Sequence, residues 1–203
     1  MKITMIPQEV YEEIYKEHKM FLKNLNQKNK KLIVVFSGIS GSGKTYIAKI
    51  IEEKLKAVRI NNDSIRDIIQ KKILPTTDLT PQEAQEIMLG YVEYLVNRLP
   101  QTNGLLILDS SIDRKYDLVS RIAKEKGYPL FVVALNIPRK EVEKRIVERN
   151  GDDAAPFLKN LDRQCDDNRV FREKNPVDFE FDKETETEIV TLLSLIRKKL
   201  DLQ

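Results

Sequence analysis

Apolar residues along the chain fall into two kinds of run, and the two kinds alternate. Leu32-Ile33-Val34-Val35-Phe36 is short, continuous and mostly β-branched, the pattern of a strand buried on both faces. Ala57 to Ile60, Leu105 to Leu108, Leu130 to Leu135 and Val177 to Phe181 read as further strands. Between them apolar positions recur at helical spacing. Ile47, Ile50, Ile51 and Leu55 follow the first strand, and Ile189, Leu192, Leu193, Ile196 and Leu200 mark a closing helix. A helix is predicted from about Ser64, another from Pro138 to about Arg149, and a third opens at Thr80-Pro81-Gln82-Glu83. There Thr80 is the N-cap, Pro81 takes the first helical position and Glu83 completes a capping box. Strands separated by helices need right-handed crossovers, so the expectation is one α/β domain with a mostly parallel sheet covered on both faces.

Residues 1–30 read as a helical extension to that domain, which occupies 31–203. Pro7 suits a first helical turn, and Val10, Ile14, Phe21 and Leu25 recur near helical spacing before the polar stretch Asn24 to Lys31. Tyr11 and Tyr15 are expected to anchor this extra N-terminal helix rather than a ligand. The chain has no internal repeat and no low-complexity segment. Its one flexible-looking joint is Asn150-Gly151-Asp152-Asp153.

Composition narrows the chemistry. Thirty-five Lys and Arg against 32 Asp and Glu leave a formal charge of +3, too little for a protein that coats nucleic acid. A single cysteine, Cys165, cannot form an internal disulfide, and a single histidine, His18, excludes a His/Cys zinc cluster. Histidine-based nucleophilic catalysis would rest on His18 alone, which falls in the amphipathic N-terminal pattern. No apolar run approaches the roughly 18 residues of a membrane span, and nothing resembles a secretory leader. The expectation is a cytoplasmic protein with no membrane partner, working with carboxylates, lysine, arginine and backbone.

Gly38-Ile39-Ser40-Gly41-Ser42-Gly43-Lys44-Thr45 fits G-x-x-x-x-G-K-[ST] at every fixed position. The predicted buried strand runs directly into Gly38, and a helix pattern begins after Lys44, which is the context the motif requires. Glycines let several N–H groups converge on one phosphate, and the helix adds its positive end. The expected nucleotide ligands are Gly38, Ser40, Gly41, Ser42, Gly43, Lys44 and Thr45. Lys44 reaches toward the β- and γ-phosphates, and the Thr45 hydroxyl is a candidate Mg²⁺ ligand.

Three observations bear on what the nucleotide is used for. No N-K-x-D string exists, so a guanine-reading switch of the common kind is disfavoured. Asp109 ends the third strand where a carboxylate would serve the metal or the acceptor, but no glutamate follows it to polarise an attacking water, as an ATP-driven motor would need. Asn61-Asn62-Asp63-Ser64-Ile65-Arg66 follows the second strand, where such sheets collect ligands. Asp63 is placed to take a hydroxyl proton during phosphoryl transfer, and Arg66 one turn on to hold the acceptor. As helix-start residues, Asp63 and Ser64 would otherwise serve only as caps. Asp113 and Arg114 follow within one turn and are candidates to line the same cleft, though ordinary charge at a helix start is the favoured reading.

From Arg139 to Arg149 the chain is dense in charge, and Arg145 and Arg149 lie four apart on one helix face. The joint at Gly151 and a second helix through Phe157, Leu161 and Cys165 complete a helix–joint–helix lid at about 145–172, whose arginines would steady phosphate charge.

These strings resemble the polynucleotide-kinase and zeta-toxin-like P-loop kinases, a group that includes many small bacterial kinases. The resemblance spans about residues 32–172 and rests on GISGSGKT, the D-x-x-R of Asp63 and Arg66, the strand ending in Asp109, and the helix carrying Arg145 and Arg149. It implies a three-layer α/β/α fold with a five-stranded parallel sheet in the order 2-3-1-4-5 and a helical lid. It also implies ATP-dependent phosphorylation of a hydroxyl with Mg²⁺. Asp63 would be the base, Arg66 an acceptor contact and Arg149 a lid contact to phosphate. Asp109-Ser110-Ser111 departs from the group's usual D-A-T or D-T-N, and Asp152-Asp153 stands where a further arginine is common. Both tilt the expected acceptor from a nucleic-acid 5′ end toward a small or nucleoside-like molecule.

Overall fold

The structure is a computed structural model that describes residues 11–12, 15–16, 31–61, 87, 90–91, 94 and 104–201. The helices predicted near Ser64 and at Thr80, most of the N-terminal extension, and Asp63 and Arg66 lie outside the described residues. Strand β1 spans Lys31–Ser37 and helix α1 spans Lys44–Leu55, followed by β2 over Val58–Asn61. After β3 (Gly104–Ser111) come α2 (Tyr116–Glu125), β4 (Leu130–Leu135) and α3 (Arg139–Asn150). A 3₁₀ turn at Gly151–Ala154 leads to the short α4 (Ala155–Lys159) and to α5 (Leu161–Lys174). Then β5 (Phe179–Phe181) and α6 (Glu186–Asp201) close the chain.

The sheet is five-stranded, in the order β2-β3-β1-β4-β5, with every described pairing parallel. β1 lies at its centre because it can bury both faces: Leu32 through Phe36 are each 0% exposed. Alternation along β1 then assigns its side chains to two layers. Ile33 and Val35 pack with Val119 and Ile122 of α2 and Phe171 of α5. Leu32, Val34 and Phe36 pack with Ile47 and Ile51 of α1, Ile146 of α3 and Ile196 of α6. The connections leaving β1 and β3 run to opposite sides of the sheet, which opens a crevice at the carboxyl end of β1.

Element boundaries differ from the sequence reading in instructive ways. β3 does not stop at Leu108 but continues to Ser111, with a shift of register opposite Val35 and Phe36. Phe36 accepts the Ile112 N–H at 2.7 Å, so the irregularity leaves Asp109 inside the strand. β5 starts at Phe179 rather than Val177, because the Asp178 carboxylate takes the Val132 N–H at 2.8 Å, where a strand carbonyl would otherwise accept it. The second helix expected after the Gly151 joint is in fact two helices. Asn160 turns its side-chain amide back onto the Pro156 carbonyl at 2.9 Å, and the chain then bends to bury Leu161 completely.

Helix α6 covers the α1 side of the sheet with Leu192, Leu193 and Ile196, while Val190 points to solvent at 61% exposed. Ile196→Ala should therefore lower unfolding stability by about 2–5 kcal/mol in urea titrations, while Val190→Ala changes it by less than about 0.5 kcal/mol. Equal losses for the two variants would show that α6 does not pack on the sheet as described.

Candidate nucleotide site

The site is built where β1 runs out. Three glycines in the connecting loop have positive φ: Gly38 at 146°, Gly41 at 81° and Gly43 at 99°. Glycine is required at Gly41 for space as well. A Cβ there would lie 2.9 Å from Ile146 Cγ1 and 3.2 Å from Val142 Cγ1, so the loop fits directly under helix α3. Gly43 is the N-cap of α1, no side chain caps that end, and its first turn carries no acidic residue. The amino end of α1 thus has backbone N–H groups and a positive dipole end suited to an anion. Lys44 folds back over the loop, its Nζ donating to the Gly38 carbonyl at 2.9 Å and the Ile39 carbonyl at 2.6 Å.

Asp109 meets this loop from β3. It is 5% exposed, and its Oδ1 accepts the Thr45 hydroxyl at 3.0 Å. Its Oδ2 is paired with Arg59 Nη1 at 2.8 Å, and Arg59 Nε donates to Glu52 at 2.8 Å. Burying a carboxylate this deeply is costly unless it is paired and hydrogen-bonded, as it is here. Burial works to lower the Arg59 pKa, but its bonds to Glu52 and Asp109 outweigh that and hold it above the ordinary value. Arg59 was invisible in the sequence, where it is one charged residue in a short strand. The hydroxyl and carboxylate that the motif reading assigned to a metal therefore do come together. Both are hard oxygen donors of the kind Mg²⁺ prefers. Among the described residues no cluster of three His, Cys, Asp or Glu side chains exists to hold an ion. The donor set fits a Mg²⁺ that would take its remaining ligands from nucleotide and water.

Of the two readings of Asp113, the structure favours a place in the cleft over charge at a helix start, since α2 begins only at Tyr116. Its Oδ2 accepts the Gly38 N–H at 3.3 Å and the Asn168 amide at 3.2 Å, and its Oδ1 is buried with no hydrogen-bond partner. Asn168 also donates to Ser37 Oγ at 2.8 Å, and Gln164, one turn earlier on α5, accepts the Ser40 N–H at 2.6 Å. One face of α5 is thereby fastened to the start and the middle of the loop. Arg114 fits the expected role better, exposed and 3.5 Å from Asp167. Sequence offered no signal for Gln164 or Asn168, which lie 124 and 131 residues from their partners.

The two lid arginines do not behave alike. Arg145 is bonded to Glu141, one turn away on the same helix, at 3.2 Å, and to Glu184 at 2.7 Å. The bond to Glu184 is the main reason its pKa is raised, with burial opposing it. Arg149 is exposed, its guanidinium 5.6 Å from the centre of the Phe157 ring. A cavity of about 520 Å³ runs along α5 from Ile39 and Asn168 beside the loop to Pro138, Arg139, Cys165 and Arg172. Its guanidinium groups are already paired, Arg139 with Glu143 and Asp162, and Arg172 with Glu180.

A glycine loop between a buried strand and a helix, a Lys-Thr pair at the helix start and a strand carboxylate bonded to that threonine define a P-loop protein. The strand order is that of the P-loop kinase fold. The sequence profile of the AAA domain matches residues 33–169, and the chain belongs to that family. It is 29% identical over 163 residues to a shikimate kinase of Caldicellulosiruptor bescii, covering 78% of this chain and 87% of the relative. It is 26% identical over 118 residues to an adenylyl-sulfate kinase of a Picosynechococcus species, covering 57% of this chain and 64% of the relative. Among solved structures, the APS kinase of Mycobacterium tuberculosis in complex with AMPPNP and APS superposes with a TM-score of 0.52 at 18% identity. That match covers 85% of this chain and 98% of the other. These findings support P-loop kinases as a class, a coarser assignment than the polynucleotide-kinase and zeta-toxin-like group.

Removing Arg59 should leave a buried charge on Asp109. Arg59→Ala is expected to cost about 2 kcal/mol or more, and Arg59→Ala combined with Asp109→Asn distinctly less than the two single losses added. Simple additivity in urea unfolding would show that the pair is not coupled.

Proposed function

We propose that this protein moves the γ-phosphoryl group of ATP to a hydroxyl of a small-molecule or nucleoside-like acceptor, with Mg²⁺ bound beside the nucleotide. The observation that carries this reading is the meeting of Thr45 and Asp109 at 3.0 Å beside the Walker-type lysine, at a helix amino terminus to which no side chain gives a capping hydrogen bond. The two curated relatives, whose names are those of kinases of small molecules, support the same chemistry and a small acceptor. We assign the phosphates to Gly38, Ser40, Gly41, Ser42, Gly43, Lys44 and Thr45, with Arg145 and Arg149 reaching them from the lid at about 145–172. Residues 31–203 form the catalytic domain and 1–30 an extension to it, in a cytoplasmic protein; no helix among the described residues is long and apolar enough to cross a membrane.

In the reaction the acceptor oxygen attacks the γ-phosphorus, the bond from that phosphorus to the β–γ bridging oxygen breaks, and ADP leaves. Asp63 takes the acceptor proton and Arg66 holds the acceptor in line. Lys44 swings from the loop carbonyls to the phosphates, where its charge offsets what builds up on the bridging oxygen. A bound Mg²⁺ supplies further charge neutralisation for the β- and γ-oxygens. Asp109 holds the Thr45 hydroxyl in place, whether or not it also touches the acceptor.

The test is transfer of labelled γ-phosphate into a panel of acceptors that includes shikimate, adenylyl sulfate, nucleosides and oligonucleotide 5′ ends. Transfer is expected to one of the small acceptors. Lys44→Ala should reduce it by roughly 10²–10³-fold and Asp63→Asn by roughly 10²–10⁴-fold. Labelling confined to oligonucleotide ends would establish a polynucleotide 5′-hydroxyl kinase instead. Hydrolysis of ATP with no acceptor labelled would make the protein a slow nucleotide-hydrolysing regulator.

A further inference from the structure

Glu184 has no part in the chemistry above, yet it lies in the middle of the nucleotide site. It belongs to the loop that joins β5 to α6, and its side chain is 13% exposed. Its Oε2 holds Arg145 Nη2 at 2.7 Å. Its Oε1 presses against the backbone of Gly43, so closely that a Cβ at that position would fall inside the oxygen's van der Waals sphere. A carboxylate therefore rests at the amino end of α1, beside the Walker-type lysine, where the local field favours an anion.

Its position is fixed from both sides. On one, Asn136 donates its backbone N–H to the Phe181 carbonyl at 2.7 Å and its side-chain amide to Asp182 at 3.2 Å. On the other, Thr185 caps α6: its hydroxyl meets Glu188 Oε2 at 2.8 Å, and the Glu188 N–H returns to Thr185 Oγ1 at 3.3 Å. A side chain leaving such an anchored loop is held where it is rather than swept there by loop motion.

We infer that Glu184 is an autoinhibitory latch, occupying the anion seat at Gly43 and holding Arg145 until the phosphates of a nucleotide displace it. This rests on the reading of residues 38–45 as the nucleotide's phosphate loop. A triphosphate cannot share that seat with a carboxylate, since like charges a few ångströms apart repel even where solvent screens them. Displacement moves Glu184 away from Gly43 and leaves the Arg145 guanidinium to a phosphate oxygen, which offers it a charge-assisted bond of the same kind. The latch thus links arrival of the nucleotide to a change of partner for Arg145, which helix α3 holds in place through the buried Val142 and Ile146.

The experiment measures ATP and adenosine affinities by calorimetry, in Mg²⁺, for wild type, Glu184→Gln, Glu184→Asp and Lys44→Ala. Glu184→Gln keeps the shape and removes the charge, so ATP should bind it roughly tenfold more tightly. Adenosine, which has no phosphate, should bind it as it binds wild type. The shorter Glu184→Asp should fall between and keeps the test open if Glu184→Gln does not fold. Unchanged or weaker ATP binding by the Glu184 variants, with Lys44→Ala still abolishing it, overturns the latch and leaves the phosphate loop standing. An equal gain for adenosine and ATP also overturns it. If Lys44→Ala binds ATP as tightly as wild type, the loop reading itself fails.

Discussion

The turn from Gly38 to Gly43 is the constraint around which the other parts are arranged. A backbone with positive φ at three positions cannot be covered by ordinary side chains, and its polar groups cannot be left unsatisfied in a protein interior. Each neighbour answers one of those demands. Asp113 accepts the Gly38 N–H, Gln164 the Ser40 N–H, and Lys44 donates to the carbonyls of Gly38 and Ile39. Helix α3 closes over Gly41 through Val142 and Ile146, which is possible only because no Cβ stands between them. The loop that would bind phosphate thereby also positions helix α3 and the returning helix α5.

Much of this was legible in the sequence where one local signal sufficed. The central strand announced itself because burial on both faces forbids polar residues from Leu32 to Phe36, and the loop because phosphate binding demands glycines at fixed spacing. Elements shaped by partners distant in the chain were read less well. β3 is longer than its apolar run because the bulge opposite Phe36 carries Asp109 onward inside the sheet, and hydropathy alone ends the strand before that aspartate. Arg59, Asp113, Gln164 and Asn168 each look like scattered surface polarity until the fold sets them against the loop. Asp63 and Arg66 fall outside the described residues, so their roles rest on motif and on strand position alone.

The two ion pairs of the site differ in how far each is withdrawn from water. Arg59 is 17% exposed and its partner Asp109 only 2% by side chain, and Arg59 is tied to Glu52 as well. Opening that pair would leave a charge stranded among apolar side chains, so nothing that enters the cleft can profitably compete for it. Arg145, at 32%, is more open to water, and Glu184 at 13% keeps some access too. Its partner can be exchanged for a phosphate with little net change in the number of charge-assisted bonds. The Arg59 pair keeps Asp109 in register with Thr45, and the Arg145 pair is the one that an entering anion could reach. The same balance explains why two arginines four residues apart on one helix differ. Arg145 alone reaches across to the loop after β5, while Arg149, one turn nearer the joint at Gly151, packs against Phe157 within the lid.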